Sequence, residues 1–531
     1  MTLSQLDITV LILYAVLLLT AALYISKNDK SATSNTEDYF LASKALPWWA
    51  IGASLIASNI SAEQIIGMSG SGYAMGLAIA SYEWMAAITL ILVGKYLLPI
   101  FLKQQIYTMP QYLEQRYNKP VKITLALFWL VVYIFVNLTA VLWLAGMAIE
   151  SISGLDAMIG MLLLSLFSVA YSAYGGLKAV AYTDIIQVVL LVLGGLLLSY
   201  LALNQVSAGK GVIVGFAKLS EQLPSHFDMI LSPESAHYAS LPGISVLVGG
   251  LWIMNISYWG FNQYIIQRAL AAKDLNEAQK GIAFAAYLKL LMPFIVVLPG
   301  ITAVVLYPNL PSPDLAYPSM MGLMPSGIKG LVFAALVAAI VSSLASMTNS
   351  ISTIFTMDLY KEIKPRQSQR HYVLIGRIAA VFSLTIALVV AKPLLGQFEQ
   401  AFQYVQEFTG IFTPGIVVIF LLGMFWSRAN SQGALAAAIG SALYSIALAY
   451  YFPNFPFMDR IGLVFLMCLL TAIVTSNTTA GNITINRTCH LSTSDSVSTG
   501  VTSELFTTSQ AFNIAGLSCV IILAALYVTW W

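Results

Sequence analysis

Apolar residues run along this chain in long blocks, with charges and turn residues gathered in the connectors between them. A helix needs ~20 apolar residues to cross the hydrocarbon of a bilayer. Fourteen blocks reach about that length, starting near residues 9, 46, 78, 122, 158, 181, 245, 277, 327, 372, 398, 431, 459 and 511. The pattern predicts an all-α polytopic membrane protein with 14 transmembrane helices. Two of the blocks carry polar residues at their middle. Residues 57–64 read A-S-N-I-S-A-E-Q, between WWAIGASLI and IIGMSG, and residues 254–264 read M-N-I-S-Y-W-G-F-N-Q-Y. A carboxylate and amides cost free energy in hydrocarbon unless something pairs with them. Asn59, Ser61, Glu63 and Gln64 are therefore expected to face a polar interior rather than lipid.

The triplet Asn-Ile-Ser occurs at 59–61 and again at 255–257, in the second and seventh blocks. Blocks an odd number apart run in opposite directions across the membrane. Many secondary transporters consist of two inverted repeats whose first helices are broken near the bilayer midplane, at the binding site. The spacing predicts such a break at each triplet. An unwound turn exposes carbonyls, and carbonyl and hydroxyl oxygens suit a hard cation such as sodium.

Composition narrows the class. Of 531 residues 59% are hydrophobic and 9% charged, with mean hydropathy +0.81, against about 25% charged in soluble proteins. The net charge of +2 is too small and too dispersed to point to nucleic acid. MTLSQLDITV has no basic stretch, and the apolar run after it is long enough to remain as a span, so no cleavable signal peptide is expected. Cys468, Cys489 and Cys519, with four scattered histidines, give neither a disulfide framework nor a metal site. Threaded alternately through fourteen spans, 19 of the 25 Lys and Arg fall on one side and 5 on the other. The richer side should be cytoplasmic, which leaves both termini extracytoplasmic. The remaining cation, Lys289, lies inside an apolar run; it either snorkels from a helix end or faces a polar cavity. Residues 477–510 form a polar, Ser/Thr-rich loop. Its N-x-T triplets at Asn477, Asn482 and Asn486 fall on the cytoplasmic side and read as chance matches to a glycosylation signal.

A small polar solute held in such an interior would need donors and acceptors around its rim and an aromatic face beneath it. Gln64, Glu83, Asn255, Lys289 and Gln406 are the rim candidates, Tyr258 and Trp259 the platforms, and Asn137 and Asn262 further candidates for the same cavity. Glu63 stays open between the cavity and a backbone contact at the break. Ser342 and Ser343 sit one turn after Ala339 and read equally as interhelical hydrogen-bonding residues.

GASLIASNISAEQ, AYGGLKAVAYTD (172–184), WGFNQYIIQR (259–268), AAIVSSLASMTNS (338–350), FQYVQEFTG (402–410) and WSRANSQGA (426–434) resemble the sodium:solute symporter family, and within it the bacterial sodium/galactose transporters. The likeness extends from about residue 36 to about 475; the segment 477–510 departs from it. It implies a leucine-transporter-type five-plus-five inverted-repeat core: an extra helix and loop over 1–35, repeats over 36–203 and 245–425, an extracellular loop over 204–244, and three C-terminal helices over 426–531. It also implies that Gln64, Glu83, Asn255, Tyr258, Lys289 and Gln406 contact the sugar. Tyr258 would close the inner side, and Met68, Tyr82 and Phe402 the outer. Sodium would be held by the carbonyls of Ala57, Ile60 and Ala339 and the hydroxyls of Ser342 and Ser343. Asp184 would support it through Ser343 or a water, unless it pairs with Lys178. One position departs: relatives have a serine where this chain has Ala86, so one rim hydroxyl is missing. The expectation is a sodium-coupled importer of galactose or glucose in a bacterial inner membrane. Sodium is its coupling ion; it has no other cofactor, and no protein or nucleic-acid partner is inferred. Rival readings are a symporter for proline, pantothenate or sialic acid, and proton coupling through Glu63, Glu83 or Asp184. An enzyme would need a nucleophile–base pair or a metal cluster, and a receptor a signalling domain; the sequence offers neither.

Overall fold

The computed structural model describes residues 3–27, 46–104, 106, 108–396, 401–479 and 506–531. Asn482, Asn486 and most of the 477–510 loop lie outside the described residues, as do the side chains of residues 171–183, including Lys178. Every apolar block has a helical counterpart. Among the described residues nine helices are long and apolar enough to cross a membrane, and the bent pair Ala401–Gly410 and Thr413–Phe425 would make a tenth. The chain is an integral membrane protein.

One pair of expected spans is joined. Ala157–Val206 is helical throughout its 50 residues, where two blocks are expected. A straight helix of that length would reach about 75 Å. Yet Leu163 lines a cavity with Phe333, while Gly194 packs onto the adjacent Val332. The run therefore changes direction between those contacts.

The two interrupted blocks behave differently. Trp48–Asn59 ends at Ile60, whose ψ of 86° is not helical, and the chain resumes as wide turns over Glu63–Gly67 and α-helix over Met68–Met75. In the second block Gly250–Ile256 and the wide turns Ser257–Phe261 pass through Asn-Ile-Ser without interruption. The break falls at Asn262 (φ −80°, ψ 121°), before Gln263–Leu270. The prediction of a break at each triplet thus holds for the first and fails for the second. A side-chain triplet does not dictate where helical φ/ψ is abandoned; the surrounding packing does.

That packing centres on the 32-residue helix Leu275–Leu306, which lies against both halves of the first broken helix. Small residues permit the approach: a Cβ on Gly52 would stand 2.7 Å from the carbonyl oxygen of Gly281. The helix Ile328–Thr353 lies along Ala157–Val206 and touches Trp48–Asn59. Its N-terminus is capped from another element. Asp7 of the first helix, Gln5–Lys27, accepts from the backbone N–H of Gly327 (2.7 Å) and Gly330 (2.9 Å). These are donors that a helix end otherwise leaves unpaired.

Candidate substrate cavity and ion site

Between the two broken helices lies a cavity with about 910 Å³ of space not filled by atoms, mouth included. Gln64, Met68, Tyr82, Glu83, Asn255, Tyr258, Lys289, Phe402 and Gln406 all line it, with Glu63, Asn137, Trp259 and Asn262. Ala86 is also in the wall, so the missing hydroxyl would have faced this space.

Lys289 is fully buried and does not snorkel. Its ammonium donates to Glu83 Oε2 at 2.6 Å and to Asn59 Oδ1, and it lies 4.9 Å from the Trp259 ring centre. A buried charge is tolerated when paired and hydrogen-bonded, and here the pair is completed on both sides. Gln64 Nε2 donates to Glu83 Oε1. Asn59 Nδ2 donates to the Tyr258 hydroxyl at 3.0 Å, which also accepts from Tyr264 at 2.9 Å. One polar chain thus runs from Gln64 through Glu83, Lys289 and Asn59 to Tyr258, tying the first broken helix to the second. Two features place Lys289. Pro293 has no N–H for the Lys289 carbonyl four residues earlier, and the Trp84 indole donates to the Leu290 carbonyl at 3.2 Å. Tyr82 and Phe402 meet edge to face in the cavity wall, with ring centres 5.3 Å apart. Asn255 Nδ2 is buried with no hydrogen-bond partner among the described residues, a donor on the cavity wall.

The second cluster lies beside the first break. In an unbroken helix the Ser61 N–H would bond the Ala57 carbonyl; here it turns to the Asn59 carbonyl at 2.8 Å. Ser343 Oγ points at the carbonyls of Ala57 (3.4 Å) and Ser58 (3.5 Å). Ser342 and Ser343 are fully buried. These are neutral, hard oxygens from two elements, the donor type that alkali and alkaline-earth cations take. Ile60 sits at the break itself, and Ala339 lies one turn before Ser343 in the same helix. Of the two routes expected for Asp184, a direct bond to Ser343 is not the one formed. Its carboxylate accepts from Ser342 and, at 2.6 Å, from Ser54, not from Ser343. It lies behind the serine pair, bridging Ile328–Thr353 to Trp48–Asn59.

Sequence reading missed two contributors. Asn59 was legible as part of the polar break, but not as the link between Lys289 and Tyr258. Tyr133 gave no signal, because aromatics are common in membrane helices. Its hydroxyl donates to Asn262 Oδ1 at 2.7 Å and accepts from the Gln263 N–H at 3.0 Å, holding the second break in place.

Comparison with known proteins fits this geometry. The sequence profile of the sodium:solute symporter family matches residues 39–440. The chain belongs to that family. A sodium/glucose cotransporter of Vibrio parahaemolyticus is 51% identical over all of this chain and 99% of its own. The sodium/myo-inositol cotransporter 2 of Mus musculus is 35% identical over 82% of this chain and 68% of its own. Among solved structures, a sodium-coupled sialic acid symporter in a substrate-bound, outward-open state superposes with TM-score 0.76 at 23% identity, over 90% of this chain and 98% of its own. A nucleobase-cation-symport-1 family transporter in a closed conformation gives 0.52 at 12%, over 84% and 96%. At such identities the superpositions speak for fold. Family membership places the protein among sodium-coupled solute transporters.

Proposed function

We propose that this family member imports a hexose, galactose or glucose, together with sodium by alternating access. The observation that carries the reading is the polar chain Gln64–Glu83–Lys289–Asn59–Tyr258 on the cavity wall, beginning four residues beyond Ile60. Amide, carboxylate and ammonium groups match a ring of hydroxyls, and Trp259 and Tyr258 offer aromatic faces. The Vibrio relative, named for sodium and glucose, supports a hexose over proline, pantothenate or sialic acid. Galactose rests on the motif resemblance, and Ala86 leaves the choice between the two epimers to experiment.

Gln64, Glu83, Asn255, Tyr258, Lys289 and Gln406 hold the sugar, with Met68, Tyr82 and Phe402 closing one side and Tyr258 the other. Ala57, Ile60, Ala339, Ser342 and Ser343 hold sodium, supported by Asp184. The cation site takes two of its carbonyls, those of Ala57 and Ile60, from the broken helix that supplies Gln64, so sodium orders the break that the sugar needs. Coupling of two sites through one element is reciprocal. One charge moving down 100 mV releases about 2.3 kcal/mol, and a tenfold gradient adds about 1.4 kcal/mol. Together these sustain a roughly several-hundredfold sugar gradient per coupled ion. The architecture we propose has fourteen spans, with inverted repeats over 36–203 and 245–425 and both termini outside a bacterial inner membrane. Uptake of radiolabelled galactose and glucose into proteoliposomes, with and without an inward sodium gradient, tests the reading. Sodium-driven accumulation of one or both is expected. Accumulation that ignores sodium and follows a proton gradient would replace it.

A further inference from the structure

A second cavity, with about 900 Å³ of space not filled by atoms, open mouth included, lies behind the helix Ala401–Gly410. One face of that helix gives Phe402, Val405 and Gln406 to the central cavity; the other gives Glu407, Phe408 and Gly410 to this one. Two groups of opposite charge line it, Glu407 from this helix and Arg460 from Phe457–Thr478. The two charges attract across the cavity, but among the described residues neither makes a close ion pair, so both keep hydrogen-bonding capacity for a ligand. Among the described residues Glu407 Oε1 accepts one 3.3 Å bond, from Gln403, and the Arg460 guanidinium lies 5.7 Å from the Phe457 ring centre.

The rest of the lining is apolar and continues outward. Ile446 and Tyr450 belong to the cavity and, with Ile439 and Leu443, form one exposed stripe along Ser431–Tyr451. Their spacing of three or four residues keeps them on one helix face. On a membrane protein such a stripe meets acyl chains. Exposed Tyr450, Tyr451 and Phe452 at the end of that helix have the aromatic character of a membrane–water interface. The site therefore offers an apolar track ending in one fixed carboxylate and one fixed guanidinium.

We propose that this cavity binds one phospholipid whose zwitterionic headgroup carries a primary ammonium. The ammonium donates to Glu407, the phosphate accepts from the Arg460 fork, and the acyl chains lie on Ile446, Leu443 and Ile439. Arginine suits phosphate because its planar fork matches the oxygens. A quaternary ammonium has no N–H to give Glu407, and an anionic headgroup without an amine leaves Glu407 unpaired. A lipid so held ties Ala401–Gly410, which carries Phe402 and Gln406, to the neighbouring helix Phe457–Thr478. The binding site stands on its own geometry; its effect on the helix bearing Phe402 rests on the proposed function.

The test reads lipid retention, not transport. The full chain is placed in nanodiscs of phosphatidylethanolamine with phosphatidylglycerol, or of phosphatidylcholine with phosphatidylglycerol, and released into native mass spectrometry. We expect one phosphatidylethanolamine retained per chain, roughly tenfold over either other lipid, the loss expected when one charge-assisted hydrogen bond is missing. Glu407→Gln and Arg460→Met should each abolish that preference. Equal retention of the three lipids by the native chain, selective retention of phosphatidylglycerol, or selectivity unchanged in both variants would overturn the proposal.

Discussion

In the first broken helix the chain leaves helical geometry at Ile60, inside its Asn-Ile-Ser; in the second it leaves at Asn262, five residues past the triplet. The consequences differ. At the first break the Ser61 N–H turns away from the Ala57 carbonyl, and Ser343 points at the carbonyls of Ala57 and Ser58. At the second break the loose end is tied by side chains, with Tyr133 bonding both Asn262 and the Gln263 N–H. The first break exposes backbone oxygens beside the serines; the second presents Asn255, Tyr258 and Trp259 to the cavity. An ion site needs bare carbonyls, and of the two broken helices only the first frees them beside the serines. A sugar site needs side chains and can draw on both. Sequence resemblance between two repeats does not make them chemically equivalent.

Four substitutions sharpen this contrast, in falling order of effect. Lys289→Met leaves Glu83 as an unpaired buried carboxylate, a loss of about 3–5 kcal/mol. Sugar binding measured by calorimetry should vanish, and the purified variant should melt well below the parent. Adding Glu83→Gln should recover much of the melting temperature but not the binding. Ser343→Ala removes a hydroxyl at the first break only. The sodium concentration for half-maximal uptake should rise about tenfold or more, a loss of ~1.5–3 kcal/mol for a charge–dipole contact, while sugar binding without sodium stays as in the parent. Asn255→Ala removes a donor supplied by the second helix alone. Sugar affinity should fall about three- to tenfold, the range for one neutral hydrogen bond, with sodium affinity read in the absence of sugar unchanged. Asn262→Ala removes the acceptor for Tyr133 and should cost about 1 kcal/mol of stability, seen as a small drop in melting temperature with sodium affinity intact. A large loss of sodium affinity in that variant would mean that the two breaks are not separate in function.

Much of the fold was legible because hydrocarbon thickness fixes a length scale that sequence must honour, and the apolar blocks are helical where the structure describes them. The joined run 157–206 was not, because a connector that stays helical has no turn residues to mark it beyond Gly175 and Gly176. The cavity residues could be picked out because a carboxylate, a lysine and two amides inside apolar runs have few bland explanations. Asp184 shows the limit. That it belongs near the serines follows from motif order, but its choice of Ser342 and Ser54 depends on the rotation of two helices, which spacing does not encode. The position of the second break, five residues past its triplet, stayed hidden for the same reason: what holds it is Tyr133, distant in sequence.

The central claim is that one unwound turn, Ile60–Ser61, serves sodium on one side and, through Asn59 and Gln64, the sugar on the other. Galactose and glucose affinity of the purified protein, titrated with sodium and again with choline in its place, tests this most directly. The account predicts that sodium tightens binding of the transported sugar severalfold in the parent, and that Ser343→Ala needs about tenfold more sodium for the same effect. Equal affinity with and without sodium in the parent would contradict it.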